Sequence, residues 1–264
     1  MRDILGDAEK AALLSDPNPM KRAQKAMLTP LPKRFYTEAA VGELEGRFVV
    51  LLDGKPVKTP AKHWLSFSTR SAAQMAADEF EAQEKEINPA TMPVTRLANT
   101  AIDGVANEIE EVQEDIIRFA SNDLLCYRAE GPDRLVARQA DVWDRYIEWA
   151  RGHYGARLYL TEGVMHIKQP NEAITLIGSA IKQISDPMML AAVHTMTTMT
   201  GSAILALSVL EGEATAEEAW QAAHLDEDWT SENWGEDHEA TVRRALRWLD
   251  MKAAADVLTA VSVR

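Results

Sequence analysis

The spacing of apolar and polar positions changes character along the chain. Residues 35–41 suit a first strand, with a turn at 42–46. Arg47-Phe48-Val49-Val50-Leu51-Leu52 is rich in strand formers, and Asp53-Gly54 follows as a two-residue hairpin turn. Lys55–Thr59 reads as the return strand. Pro56 places it at an edge or beside a bulge, because proline cannot donate to a ladder. Residues 64–68 alternate and make a fourth strand. From Ser68 or Thr69 the period becomes helical and runs to about Glu86. Asn88-Pro89 stops that helix and Met92-Pro93 opens another over 94–105. There Val94, Leu97, Ala98 and Ala101 form the apolar face, and Arg96, Asn99, Thr100 and Asp103 the polar stripe.

A third helix is expected over about 108–120, and a long amphipathic one over 133–154 with Gly155 as its stop. Residues 123–129 fit a strand or a helix, and 156–160 could return as a strand. Beyond Asn171 the pattern is helical throughout: 171–184, 187–200, 202–211, 215–228 and 237–262. The fold class is therefore α+β. A flexible tail is expected over 1–32, a small α+β domain over 33–110 and a helical domain over 111–264. Lys21, Arg22, Lys25, Lys33 and Arg34 make the tail and its junction locally basic.

Charge sharpens the picture. Between Gln183 and Val242 there is no Lys or Arg, yet there are twelve carboxylates, eleven of them between Glu211 and Glu239. The whole chain carries -13, so this window contributes nearly all of the excess. Trp229 and Trp234 lie among the acids. A one-sign field with aromatic anchors suits a docking surface, since charge steers an approach and large side chains supply contact energy. The plainer reading is a solvated acidic face over two core tryptophans. Met188, Met189, Met196 and Met199 just before the acids suit either an adaptable surface or ordinary core filling.

Other chemistry is thin. The acidic balance argues against a nucleic-acid partner. The single cysteine, Cys126, excludes an internal disulfide framework, and its apolar neighbours mark it as a buried small hydrophobe. The six histidines are scattered without paired ligand spacing, so no metal is expected, and no phosphate loop or dinucleotide fingerprint suggests a cofactor. Residues 187–210 carry no charge and are long enough to span a bilayer. The histidine, threonines and serines within them, and Gly201 at their middle, predict two buried helices instead of membrane insertion. The N-terminus has no apolar signal core, and its early acids do not suit a presequence.

Several blocks together resemble a known family. Lys33-Arg34-Phe35-Tyr36, the run from Leu52-Asp53-Gly54-Lys55 to Pro60, and Met92-Pro93-Val94-Thr95 through Asp103 come first. Asp123-Leu124-Leu125-Cys126-Tyr127-Arg128, Gln139 to Trp143, Gln169-Pro170, and Leu225-Asp226-Glu227 to Glu232-Asn233-Trp234-Gly235 follow in order. Over roughly residues 33–240 the chain is similar to the ATP synthase assembly chaperones that hold the free alpha subunit of the catalytic head. It departs from them at Phe80, where a Trp is common, and at Thr230, where a Gln is common. The resemblance implies a small α+β unit before a helical domain, and a non-enzymatic role without cofactor. The implied client is unassembled alpha subunit, covered on the surface that later meets the beta subunit. The implied partner-binding residues are Glu232 and Asp237, with Asp226 and Glu227 as neighbours and Trp234 in support. The free protein is expected as a monomer, in a bacterial cytoplasm or, for a matured eukaryotic chain, the mitochondrial matrix. The competing class is a small-molecule hydrolase that uses Asp226, Glu227 and Glu232 in a cleft.

Overall fold

The computed structural model describes residues 31–163 and 165–262. All but the last two residues of the expected tail lie outside them. The fold is α+β: a small sheet precedes a long series of helices. One compact unit ends at Asp103 and a second begins at Gly104.

The first unit is built on β1 (Ala39–Leu44), β2 (Arg47–Leu52), β3 (Lys55–Pro56) and β4 (Ser66–Phe67). β1 and β2 pair antiparallel from Ala39↔Leu52 to Leu44↔Arg47. β2 takes β3 and β4 on its other side, so Pro56 sits on a short edge strand. The Asp53-Gly54 turn has positive φ at both residues, 48° and 76°. The first strand starts later than the 35–41 expected, and the turn is Glu45-Gly46, also with positive φ at both positions. Gly42 is therefore a strand residue. It pairs with Val49, and a Cβ there would meet the Leu51 side chain at 2.6 Å, so glycine serves close packing, not a bend.

Helix α1 (Arg70–Glu81) lies on β1 and β2. Thr69 caps it by accepting the Ala72 N–H at 3.3 Å. Its buried face is Ala72, Ala73, Ala76, Ala77 and Phe80, small residues that bring the helix close to the sheet. It ends five residues before Glu86. Arg34 explains the early stop. Its guanidinium donates to the Glu81 carbonyl at 2.9 Å and to the carbonyl of Gln83, satisfying backbone oxygens that continued helix would use. Asp53 accepts the N–H groups of Thr37 at 2.9 Å and Glu38 at 3.1 Å, which ties the hairpin turn to the segment entering β1. Helix α2 (Pro93–Asp103) is capped from α1: the Glu79 carboxylate accepts the Val94 and Thr95 N–H groups, each at 2.7 Å. Burial pushes the Glu79 carboxyl above the ordinary range.

The second unit contains α3 (Ile109–Ala120), β5 (Tyr127–Arg128), α4 (Asp133–Tyr154), β6 (Thr161–Glu162), α5 (Asn171–Ile181), α6 (Pro187–Thr200), α7 (Ala203–Leu210), α8 (Ala216–Ala223), α9 (Leu225–Trp234) and α10 (His238–Ser262). The segment 123–129 is both of its alternatives in succession, a 3₁₀ turn at Leu124–Cys126 and then β5. The strand expected at 156–160 instead lies at Thr161–Glu162, parallel to β5. α4 has its expected limits, with Gly155 left-handed at φ 75°.

The uncharged stretch is two buried helices, α6 and α7, broken at Gly201 with φ 69°. No helix of the described residues is long and apolar enough to cross a membrane. Asp123 fixes the break. Fully buried, it accepts the Leu125 and Ile204 N–H groups, both at 3.1 Å, and so closes the 3₁₀ turn and the start of α7 together. Burial pushes its carboxyl up to about 6. Cys126 is buried, and its thiol is pushed up by the same cause. Met188 and Met196 are core residues, while Met189 and Met199 are half-buried.

Candidate partner-binding surface

One continuous helix expected over 215–228 is two. α8 stops at Ala223, and α9 starts at Leu225. The corner between them is held by side chains far away in sequence. The Trp143 indole N–H donates to the Ala222 carbonyl at 2.8 Å. The buried ring of His224 lies 3.9 Å from that of Trp220, and its Nδ1 is 2.8 Å from the Trp220 carbonyl oxygen, so Nδ1 carries the proton. Burial holds the His224 imidazole below its ordinary range. Arg244 and Arg247 act the same way, and the Trp220 carbonyl and Glu227 oppose them.

The break changes what the acids do. Asp226, Glu227 and Asp228 occupy the first turn of α9, where carboxylates meet the positive end of the helix dipole. Asp226 accepts a 2.7 Å hydrogen bond from the side-chain amide of Gln139. Gln139 is buried, and its carbonyl oxygen takes the Ala129 N–H at 2.8 Å, so one amide links α4, the end of β5 and α9. Glu232 forms a two-pronged pair with Arg138 at 2.6 and 3.0 Å, and that guanidinium holds its carboxyl below the usual range. Asp228 pairs with Arg244. Glu227 is exposed and stands 4.0 Å from the His224 Nε2.

The tryptophans separate. Trp229 is half-buried, with the Arg134 guanidinium 6.0 Å from its ring centre. Trp234, the last residue of α9, is 75% exposed. Beyond it Gly235 takes φ 95°, and Asp237 accepts the Glu239 N–H at 2.9 Å at the start of α10. Asp237 is therefore both exposed and a helix cap.

The acids are not a field without counter-ions. The window lacks cations, but α4 supplies Arg138 and the second turn of α10, just past the window, supplies Arg244. Gln139 and Trp143, four residues apart, share one face of α4, and Arg138 immediately precedes Gln139. A groove of about 590 Å³ runs between α4, α8 and α9. Arg138, Asp141 and Arg145 line it from α4, Glu218 from α8 and Asp228 from α9, and no histidine does. Among the described residues no cluster of three metal-binding side chains occurs.

Comparison with known proteins places this architecture. Residues 33–151 match the family described as ATP12 chaperone protein. A candidate chaperone from Agrobacterium tumefaciens, solved by crystallography, is 54% identical over 98% of this chain and 97% of its own, with a TM-score of 0.86. Atp12 from Paracoccus denitrificans is 34% identical over 87% of this chain and 98% of its own, with a TM-score of 0.81. The mitochondrial protein atp12 of Schizosaccharomyces pombe is 24% identical across 78% of this chain and 76% of its own length.

Fold and matches thus define a class, two-unit α+β chaperones. Within it the chain belongs to the ATP12 family, the ATP synthase assembly chaperones.

Proposed function

We propose that this protein binds free alpha subunit of the F-type ATP synthase and shields its beta-facing surface until assembly. The observation that carries the reading, beside family membership, is the end of α9: a tryptophan 75% exposed, next to carboxylates that face outward. An unassembled ring subunit bares a large apolar interface, which is an aggregation hazard. A chaperone for it needs a contact that orients quickly and still lets go, and acidic charge favours speed over raw affinity. In this reading Trp234, Glu227 and Asp237 meet the client. Asp226 and Glu232, tied to Gln139 and Arg138, hold the surface in shape and present its charge. No catalysis or cofactor is involved, and the free protein is a monomer. The hydrolase alternative draws no support from the acids, because Asp226 and Glu232 are already engaged by α4.

The test is light scattering of isolated alpha subunit during aggregation, with and without this protein. Beta subunit serves as control client, and a Glu232→Lys/Asp237→Lys variant with unchanged circular dichroism as control chaperone. Suppression for alpha alone, weakened by the charge reversal, is expected. Equal failure with both clients overturns the reading.

A further inference from the structure

Helix α10 is apolar on two opposite sides. Its inner side packs on α6 and α8: Met251 is fully buried, and the Trp248 ring lies 5.5 Å from that of Trp220. With 3.6 residues per turn, Val242, Leu246 and Leu249 fall on the other side, and all three are exposed, Leu246 by 56%. A single exposed leucine is ordinary. Three at successive turns, with exposed Trp234 just ahead of the helix, form a row that the described residues leave uncovered.

The charges beside the row are lopsided for a structural reason. Arg244 turns inward to Asp228, and Arg247 donates to the Met199 carbonyl at 2.8 Å. Glu236, Asp237 and Glu239 are exposed at the Trp234 end, and among the described residues Arg243 joins them, 3.4 Å from Glu239. Val242 to Leu249 spans about 10 Å of helix, room for one strand or helix of a partner rather than a broad domain face.

We infer that the outer row of α10, Val242, Leu246 and Leu249, continued by Trp234, is the principal client contact, and that its occupant is an apolar strip of the client carrying Lys or Arg at the end that meets Glu236, Asp237 and Glu239. This rests on the proposed binding of alpha subunit. Apolar side chains supply the contact energy, and the acids set which way round the strip lies. A second copy of this chain fits less well, because it brings the same acidic excess, -13 on each molecule.

The experiment titrates isolated alpha subunit with the full chain, a Leu246→Glu/Leu249→Glu variant, and Met165→Glu, which changes an exposed apolar residue elsewhere in the same unit. The row variant should bind at least about tenfold more weakly, and Met165→Glu as well as wild type. A photo-crosslinking residue placed at Leu246, a substitution that keeps the site apolar, should join the chain to alpha subunit. Undiminished binding by the row variant, or crosslinks only between copies of this chain, overturns the row and leaves the proposed function standing, provided wild type holds alpha. Failure of wild type to bind alpha overturns both.

Discussion

At the scale of single residues, the acidic segment is governed by neighbours it could not name for itself. Glu232 belongs to a charge pair, Asp226 to a buried amide and Asp237 to a helix start. His224 and Asp123 carry pH consequences of opposite sign: the buried Asp123 carboxyl, pushed up to about 6, adds stability as pH falls through that range, and His224 removes it. Its folded imidazole is held below the ordinary range, so under acid the unfolded chain binds a proton that the folded chain refuses. The stability it supports is present above the ordinary histidine range, about 6.5, and is lost as pH falls below it. Urea midpoints are measured from pH 7.5 down to 5.5 for wild type and His224→Phe, Asp123 contributing equally to both. The midpoint of wild type should lose ground to that of His224→Phe, which keeps an aromatic ring beside Trp220, as pH falls. An identical slope in both proteins would falsify the assignment.

At the scale of elements, α4 organises the surface although it carries none of the acids singled out there. Its successive turns place Arg138, Gln139 and Trp143 against Glu232, Asp226 and the Ala222 carbonyl. Replacing Gln139 by Leu keeps the bulk and strands the half-buried Ala129 N–H. The expected cost is about 1–3 kcal/mol of stability, read by chemical denaturation. Client binding should weaken too, because Asp226 loses its anchor. A variant as stable as wild type would show that the amide does not hold the corner. Arg138→Ala is expected to be much milder in stability, about 1 kcal/mol or less, because the pair with Glu232 is largely solvated.

At the scale of the molecule, charge and apolar surface do different work. The acidic excess is a long-range property and should act on the rate of encounter. Stopped-flow mixing with alpha subunit is expected to slow as salt rises, while dissociation changes little. Rates indifferent to salt would remove electrostatic steering and the basic client patch with it. The exposed row acts only at contact, so its variants should change mainly the dissociation rate.

The sequence by itself determined the class and most element limits. Strand-forming runs, Asp53-Gly54, the Gly155 stop and the Gly201 break are local signals, and the structure places elements where they point. The same blocks of residues carried the family resemblance, because Asp53, Asp123, Gln139 and Trp143 each make specific bonds over a distance. Tertiary structure alone decided three things. Arg34 ended α1 early, since a guanidinium from outside the helix can take its last carbonyls. His224 and Trp143 broke one expected helix into α8 and α9, which moved Asp226, Glu227 and Asp228 from the end of one helix to the start of the next. The outer side of α10 was left bare while its inner side was buried, a distinction invisible in a pattern apolar on both sides, because periodicity reports which residues share a face and not whether anything covers it.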